Sequence, residues 1–591
     1  MGYAGKFAAV SKAVPLGKVS SPQAMTEGMS PSRLPPQVKI ASYGKKDYTI
    51  KKRCGVRPAG QDAGDETMKR RDFCKGLAVT LAAGTLAPAA ALPQAGAATA
   101  LVGRAVPDDY YTLWYRSDRC GADLRHDYYY SDSLFDHPAT EYDNQLALAT
   151  LGMAAAADCP WESDQRYWME GEVGRADHIR DAFAKLGFTE VQLFNYTHSL
   201  NDTPDTVGCA VARKTLVRGG RQVTIIGAFL RGSGYGAEWS GNLHAGPGSA
   251  HVGFVTATRQ LVEKIRAYIQ TSAKRQPLGT LKLWMGGYSR GGGVANLVAA
   301  RLPAVLPQLE KKNTYVYTFA APASLTAADC PDLQQDFDNN HAADGSLKKN
   351  WGTSNIFNIV SSGDVIPRIL PAEWGFYRNG NDRFLPSTVI PEELQALNDR
   401  STRMEGTPID FGRLAVTEEA DAVLRSMMDL FCDRQTYYKG YEDAMRCMLQ
   451  CATTRTEEEV TRGIVRDDAA VVAQLRSMEL MQRFPQEKLE RCVQAASALS
   501  RPVLEKLGSA VPLQAQQIVI PMLAVGLCFE LQPETVQLVA DFVLSTITVE
   551  GQLSGILKTV LCHFQENYIT VLEAYDPADH GMTPYTRREE L

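Results

Sequence analysis

The pentapeptide Gly287-Tyr288-Ser289-Arg290-Gly291 sets a serine two residues from a glycine on either side, the pattern G-x-S-x-G. Ahead of it, Leu281, Leu283, Trp284 and Met285 make an apolar run of buried-strand length, and over residues 294–300 the chain becomes small, apolar and helix-forming. A strand that turns sharply into a helix here leaves no room for side chains two residues before and after the serine, and it pushes the hydroxyl outward. The first N–H groups of that helix then point at whatever binds there. The chemistry this permits is nucleophilic attack by the Ser289 hydroxyl; the plainer alternative is a strand-to-helix connection with an idle serine.

A serine hydroxyl is a poor nucleophile until an imidazole takes its proton, and the imidazole needs a buried carboxylate to fix its tautomer. Asp364 follows the apolar run 356–360 in Ser361-Ser362-Gly363-Asp364-Val365-Ile366-Pro367. That is a strand's C-terminal end, where ligand sites of open α/β sheets gather; a turn aspartate after Gly363 is the alternative. In the order Ser, acid, His of α/β-hydrolases the base comes last, and only His563 and His580 lie beyond Asp364. His580 sits in the polar stretch 576–583 and reads as solvated. His563 leaves the apolar stretch 556–562 and precedes Phe564 and Tyr568, so it is the favoured base, with a structural histidine as the alternative.

These side chains need a frame. Residues 142–157 read as a helix with apolar residues at Leu146, Ala149 and Met153, and 175–186 as a second helix ending in Gly187. A strand follows over 191–196, then 207–217 and 222–230 form a hairpin about Gly219-Gly220. A helix over 257–270 and strands over 315–320 and 356–360 complete an α/β pattern with a mainly parallel sheet.

Between these elements lie Arg231-Gly232-Ser233, Glu238-Trp239 with Asn242, and His251-Val252-Gly253-Phe254, followed by the G-x-S-x-G-G elbow. The strand ending in Thr318-Phe319-Ala320-Ala321-Pro322, the D-x-I-P turn at Asp364 and H-x-x-x-x-Y from His563 to Tyr568 come after it. In this order the motifs resemble the class 3 lipase family, the fungal-lipase-like α/β-hydrolases, especially its bacterial members. The likeness is close over residues 207–371 and resumes at His563. It implies Ser289 as nucleophile, Asp364 as acid and His563 as base, with Gly287 and Gly291 as the elbow glycines. The N–H groups of Ser233 and Arg290 would form the oxyanion hole, with the Ser233 hydroxyl assisting.

The implied activity is a serine ester hydrolase of the lipase type, acting on lipid or small acyl esters through an acyl-enzyme, at a lipid–water interface, and needing no cofactor or metal. A phospholipase, thioesterase or acyltransferase on the same scaffold is the alternative, as is a non-catalytic lipid-binding or interaction protein. The family commonly has His and Leu where this chain has Tyr288 and Arg290. Arg290 reads as a cation at the opening of the site, suited to an acyl substrate with an anionic head group.

Asp364 and His563 are about 200 residues apart, too far for a plain loop. The interval reads as helical: Ala420, Val423, Leu424, Met427 and Phe431 follow helical spacing, Thr454 with Glu457 makes a capping box, and Pro485 and Pro533 sit where helices begin. Residues 101–389 are therefore read as the α/β-hydrolase core, 390–550 as a helical insertion serving as a lid or as a stabilising subdomain, and 551–591 as the end of the core plus a tail.

Upstream, residues 1–67 are rich in Lys, Pro, Gly and Ser and read as disordered. Residues 68–100 open with Met68-Lys69-Arg70-Arg71-Asp72-Phe73-Cys74-Lys75, then a mildly apolar run and small residues near Ala95 and Ala98. They resemble a twin-arginine export signal, which puts the start of translation at Met68 and the product in the periplasm or outside the cell. A basic, Ala-rich linker in a cytoplasmic protein is the alternative.

Of the 591 residues, 45% are hydrophobic and 22% charged, ordinary for a globular protein. A net charge of -5 and a pI near 6.1 argue against a nucleic-acid partner, and no apolar run is long enough for a transmembrane span. The 12 cysteines show no C-x-x-C pair, and Cys432, Cys447 and Cys528 fall at apolar helical positions, as buried thiols do. Cys447 and Cys451 have no histidine nearby to complete a zinc set.

Overall fold

The computed structural model describes residues 103–117, 122–158, 171–196, 205–234, 236–246, 251–326, 353–370, 374–385, 417–431, 433–453, 465–507, 513–537, 555–578 and 581–584. All of these residues belong to one compact unit, Gly96–Leu591. The readings for residues 1–67 and 68–100, His580, Cys432 and the Thr454 capping box lie outside the described residues.

An antiparallel ribbon comes first, β1 (Asp109–Ser117) with β2 (Ala122–Tyr130). Its alternation of apolar with charged residues, as in Asp123-Leu124-Arg125, marks one buried and one wetter face. Helices α1 (Asn144–Ala157) and α2 (Gly171–Lys185) lead into β3 (Thr189–Phe194). The hairpin of β4 (Cys209–Arg218) and β5 (Arg221–Leu230) turns at Gly219 and Gly220, with φ of 54° and 74°. Two consecutive left-handed residues are what a two-residue turn between twisted strands requires.

Short α3 (Gly236–Gly241) and long α4 (Val252–Arg275) precede β6 (Thr280–Tyr288), α5 (Arg290–Val305) and β7 (Thr314–Phe319). After these come β9 (Ile356–Ser361) and β11 (Asn381–Leu385), with β8 (Leu325–Thr326) and β10 (Phe376–Tyr377) pairing as a separate small ribbon. The seven-stranded sheet has the order β11-β9-β7-β6-β5-β4-β3. Neighbours from β5 to β11 are parallel, and the β3–β4 and β4–β5 pairs are antiparallel. This is the mainly parallel α/β architecture read from the sequence.

Alternation along β6 supplies a core on each face. Leu283 and Met285 pack with the apolar sides of α4 and α5, while Trp284 and Tyr288 pack with α1 and the ribbon. Helix α1 is buried nearly all round. Its alanines, Gly152 and Thr150 are small enough to lie close against their neighbours, and Thr150 Oγ1 accepts the Trp284 indole N–H at 2.7 Å.

The helical insertion contributes α6 (Thr417–Phe431), α7 (Arg434–Gly440), α8 (Glu442–Thr453), α9 (Asp468–Ser477), α10 (Gln486–Leu507) and α11 (Leu513–Cys528). Helix α10 starts just past Pro485, as expected. These helices share the α4–α5 core through Met445, Met448, Leu475 and Val525. Cys447 and Cys528 are buried free thiols within it. Helices α12 (Gly555–Leu561) and α13 (Gln565–Ala574) return to the other face, ending in the ribbon β12 (Tyr575–Ala578) and β13 (Gly581–Pro584). No helix among the described residues is long and apolar enough to cross a membrane.

Candidate active site

Ser289 occupies the corner between β6 and α5 with φ 52° and ψ -125°. A non-glycine residue held there costs on the order of 1–3 kcal/mol, a strain that persists only when the surroundings over-determine it. Here the Ser289 N–H donates to the Phe319 carbonyl at 2.9 Å, and the Ser289 carbonyl accepts from Gly293 N–H at 3.0 Å. A Cβ at Gly287 would lie 2.4 Å from the Gly291 carbonyl oxygen, and one at Gly291 would lie 2.4 Å from that of Leu230. The glycine spacing is therefore a steric requirement of the corner.

The structure brings Ser289, His563 and Asp364 together. His563, in the turn between α12 and α13, has Nε2 at 2.9 Å from Ser289 Oγ and Nδ1 at 2.8 Å from Asp364 Oδ2. A carboxylate can only accept, so Nδ1 carries the proton and Nε2 is left to receive one. Asp364 is fully buried; it also accepts from Tyr568 Oη at 2.8 Å and, through Oδ1, from the Ile366 N–H at 2.9 Å. The Tyr568 oxygen in turn accepts the Ser361 N–H at 3.0 Å. Burial first, then the nearby Asp364, push the Tyr568 pKa well above its ordinary value, so the phenol stays a donor.

Tyr288, the departure before the serine, donates its hydroxyl to the His563 carbonyl and packs its ring 5.6 Å from the imidazole. It ties the end of β6 to the turn that carries the base. An imidazole bridging a strained, outward hydroxyl and a buried, donor-fed carboxylate is an arrangement that can relay a proton as the oxygen attacks an electrophile.

The loop after β5 borders the same corner. Arg231 is buried and paired with Glu238 at 2.5 and 2.7 Å. Gly232 N–H donates to Asp158 Oδ1 at 3.0 Å, and Gly234 N–H to Glu238 Oε2 at 3.0 Å. The Ser233 N–H between them has no acceptor among the described residues. Asp158 also accepts from Gln565 Nε2 at 2.6 Å, which links this loop to the segment bearing His563.

Arg290 corrects an expectation. Its guanidinium is fully buried rather than at the opening: Nε donates to the Thr206 carbonyl at 3.1 Å, Nη1 to Asn242 Oδ1 at 3.0 Å and Nη2 to the Gly253 carbonyl at 3.1 Å. It also lies 5.0 Å from the Phe254 ring centre. Burial lowers its pKa to about 10. The head-group argument built on an exposed cation therefore falls.

His251, the N-cap of α4, is structural. It stacks on Phe254 at 4.0 Å and its Nε2 donates to the Asn242 carbonyl at 3.0 Å. Burial carries its pKa down to about 3, against the opposing pull of that hydrogen bond.

Asp158, Tyr288, Asn242 and Tyr568 were given no role by the sequence reading. Tyr568 had a signal, its place five residues after the histidine in the quoted motif; Asp158 had none. No cluster of three or more His, Cys, Asp or Glu among the described residues has the geometry to hold a metal.

Residues 232–374 match the family model described as lipase (class 3), from the loop after β5 through Ser289 to just past Asp364. No curated protein matches the chain. Among solved structures, a Rhizomucor miehei lipase–propeptide complex is similar at 18% identity, over 41% of this chain and 68% of that one, with a TM-score of 0.27. Lipase II from Rhizopus niveus is similar at 16% identity, over 40% and 80%, also with a TM-score of 0.27.

Proposed function

We propose that the chain is a serine ester hydrolase of the lipase type. One observation carries the reading: Ser289 Oγ, the His563 ring and the Asp364 carboxylate stand in hydrogen-bonded series, 2.9 and 2.8 Å apart, at a strained strand-to-helix corner. The class 3 lipase match over residues 232–374 supports an acyl ester of lipid character as the substrate class.

In this mechanism Ser289 Oγ attacks the acyl carbon while His563 Nε2 takes its proton. Asp364, supplied with three donors, holds the tautomer and stabilises the imidazolium. The N–H groups of Ser233 and Arg290 receive the charge that develops on the carbonyl oxygen. Collapse expels the alcohol with the proton held by His563, leaving an acyl-enzyme that water cleaves by the same route.

The insertion acts as a brace. Arg368, just past Asp364, pairs with Asp421 of α6 at 2.5 Å, and Lys558 of α12 pairs with Glu419 of α6 at 2.7 Å. On the other side Tyr437 and Arg434 of α7 donate to the carbonyls of Leu243 and Ala245, at 2.9 and 2.7 Å. Deleting residues 390–550 in a chain that still folds should leave the preference between a soluble ester and an emulsion unchanged; a shift in that preference would restore the lid.

Labelling with a fluorophosphonate tests the chemistry. The probe should modify Ser289 in the wild type, and Ser289→Ala should abolish the label. An unreactive wild type would favour the non-catalytic, lipid-binding alternative. Export rests on the Arg70-Arg71 segment; a mature N-terminus upstream of Met68 would overturn it.

A further inference from the structure

The contacts around Ser233 run in one direction. A guanidinium has donors only, so Asn242 meets Arg290 Nη1 through its amide oxygen, at 3.0 Å. That turns the amide nitrogen, a donor, to the other side, 2.8 Å from Ser233 Oγ. The serine oxygen is thereby an acceptor. Its own hydrogen cannot go to Asn242, and it has no acceptor among the described residues.

The loop's position gives that hydrogen a destination. Leu230 pairs with Gly287 in the sheet, and the Leu230 and Arg231 carbonyls abut Gly291, so Ser233 follows directly on the strand end beside the elbow. The flanking N–H groups of Gly232 and Gly234 are engaged by Asp158 and Glu238. Within 231–234, the main-chain N–H and the hydroxyl O–H of Ser233 have no acceptor among the described residues. Asn242 is itself fixed, since its carbonyl accepts from His251 Nε2 at 3.0 Å.

We propose that Arg290, acting through Asn242, is a positioning residue that aims the Ser233 hydroxyl hydrogen at the substrate's developing oxyanion. The inference rests on the hydrolase reading above and adds to it a reason for arginine beside the nucleophile. One residue then serves twice, its main-chain N–H as a donor and its side chain as the group that orients a second donor.

Asn242→Asp tests the wiring. Aspartate keeps the size and still accepts from Arg290, but it has no hydrogen for Ser233, whose hydroxyl then turns inward to donate to it. On a soluble ester kcat should fall about 100- to 1,000-fold, the loss expected for one oxyanion donor, with KM little changed. Ser233→Ala should cost the same, and the double variant should be no slower than either single one. If Asn242→Asp fails to fold, Arg290→Lys and Arg290→Met take its place: lysine, also donor-only, should retain most of the rate that methionine loses. A folded Asn242→Asp protein with wild-type kcat, multiplicative losses in the double variant, or equal rates for lysine and methionine overturns the wiring. A wild type that turns over no ester overturns the hydrolase reading with it, whereas an active wild type with multiplicative losses overturns the wiring alone.

Discussion

Asp364 and Glu442 are both buried carboxylates that face a histidine from a distant part of the chain, and they are solvated in opposite ways. Asp364, in the sheet-borne centre, receives His563 at 2.8 Å, Tyr568 at 2.8 Å and the Ile366 N–H at 2.9 Å. Glu442, on α8 of the insertion, receives the Gly246 N–H at 2.9 Å, and His244 Nε2 stands off at 3.9 Å. Burial raises the Glu442 pKa, with that N–H opposing. The first carboxylate is met by three donors; the second holds a loop through the Gly246 N–H. The difference teaches that the centre is designed around direction of hydrogen bonding and the insertion around attachment, so substitutions in the two should separate rate from stability.

The sharpest break comes at the corner itself. Ser289→Ala should lower kcat on a soluble ester about 10⁴-fold or more, while Ser289→Gly, equally inactive, should raise the melting temperature by relieving the backbone. Measurable turnover by either variant would remove the serine from the chemistry. Tyr568→Phe should lose both quantities: about 1–3 kcal/mol of stability, because the Ser361 N–H is left buried without an acceptor, and a fall in kcat as the carboxylate loses a donor. Denaturant unfolding and steady-state kinetics on one preparation would check both.

His251 sharpens the contrast through pH. Its folded pKa of about 3 lies below the ordinary 6.5, so across that interval the unfolded chain binds a proton that the folded one refuses. Stability is fully present above pH 6.5 and is lost as pH falls toward 3. Between pH 7 and 4.5 the wild type should lose on the order of 2 kcal/mol more than His251→Gln in denaturant unfolding. The smallest effect belongs to the insertion: Glu442→Ala should cost about 1 kcal/mol and leave kcat on a soluble ester unaltered. A rate loss there as large as the one at Tyr568 would erase the division between the two regions.

Much of the centre was legible because it is written in backbone sterics and strand ends. Gly287 and Gly291 announce a corner that tolerates nothing larger, Asp364 sits where a parallel strand stops, and chain order left few histidines to choose from. Arg290 was misplaced because adjacency to Ser289 says nothing of direction: side chains at a helix start lean back over the preceding turn, here toward Thr206, Asn242 and Gly253. Asp158 joins Gly232 to Gln565 across 407 positions, from its carboxylate to the Gln565 amide, a meeting no local pattern encodes. The alanines of helix α1 mark close packing on all sides, which spacing along the sequence does not distinguish from a helix buried on one face.

The separation between Ser289 and His563 has a consequence for synthesis. Ser289 is translated 274 positions before His563, and at ordinary elongation rates that gap lasts on the order of tens of seconds. Throughout it the nascent polypeptide holds the Ser289 hydroxyl without the imidazole that stands 2.9 Å from it in the folded chain. On the hydrolase reading proposed above, a ribosome-bound chain stays inert toward esters until the late helices emerge and dock.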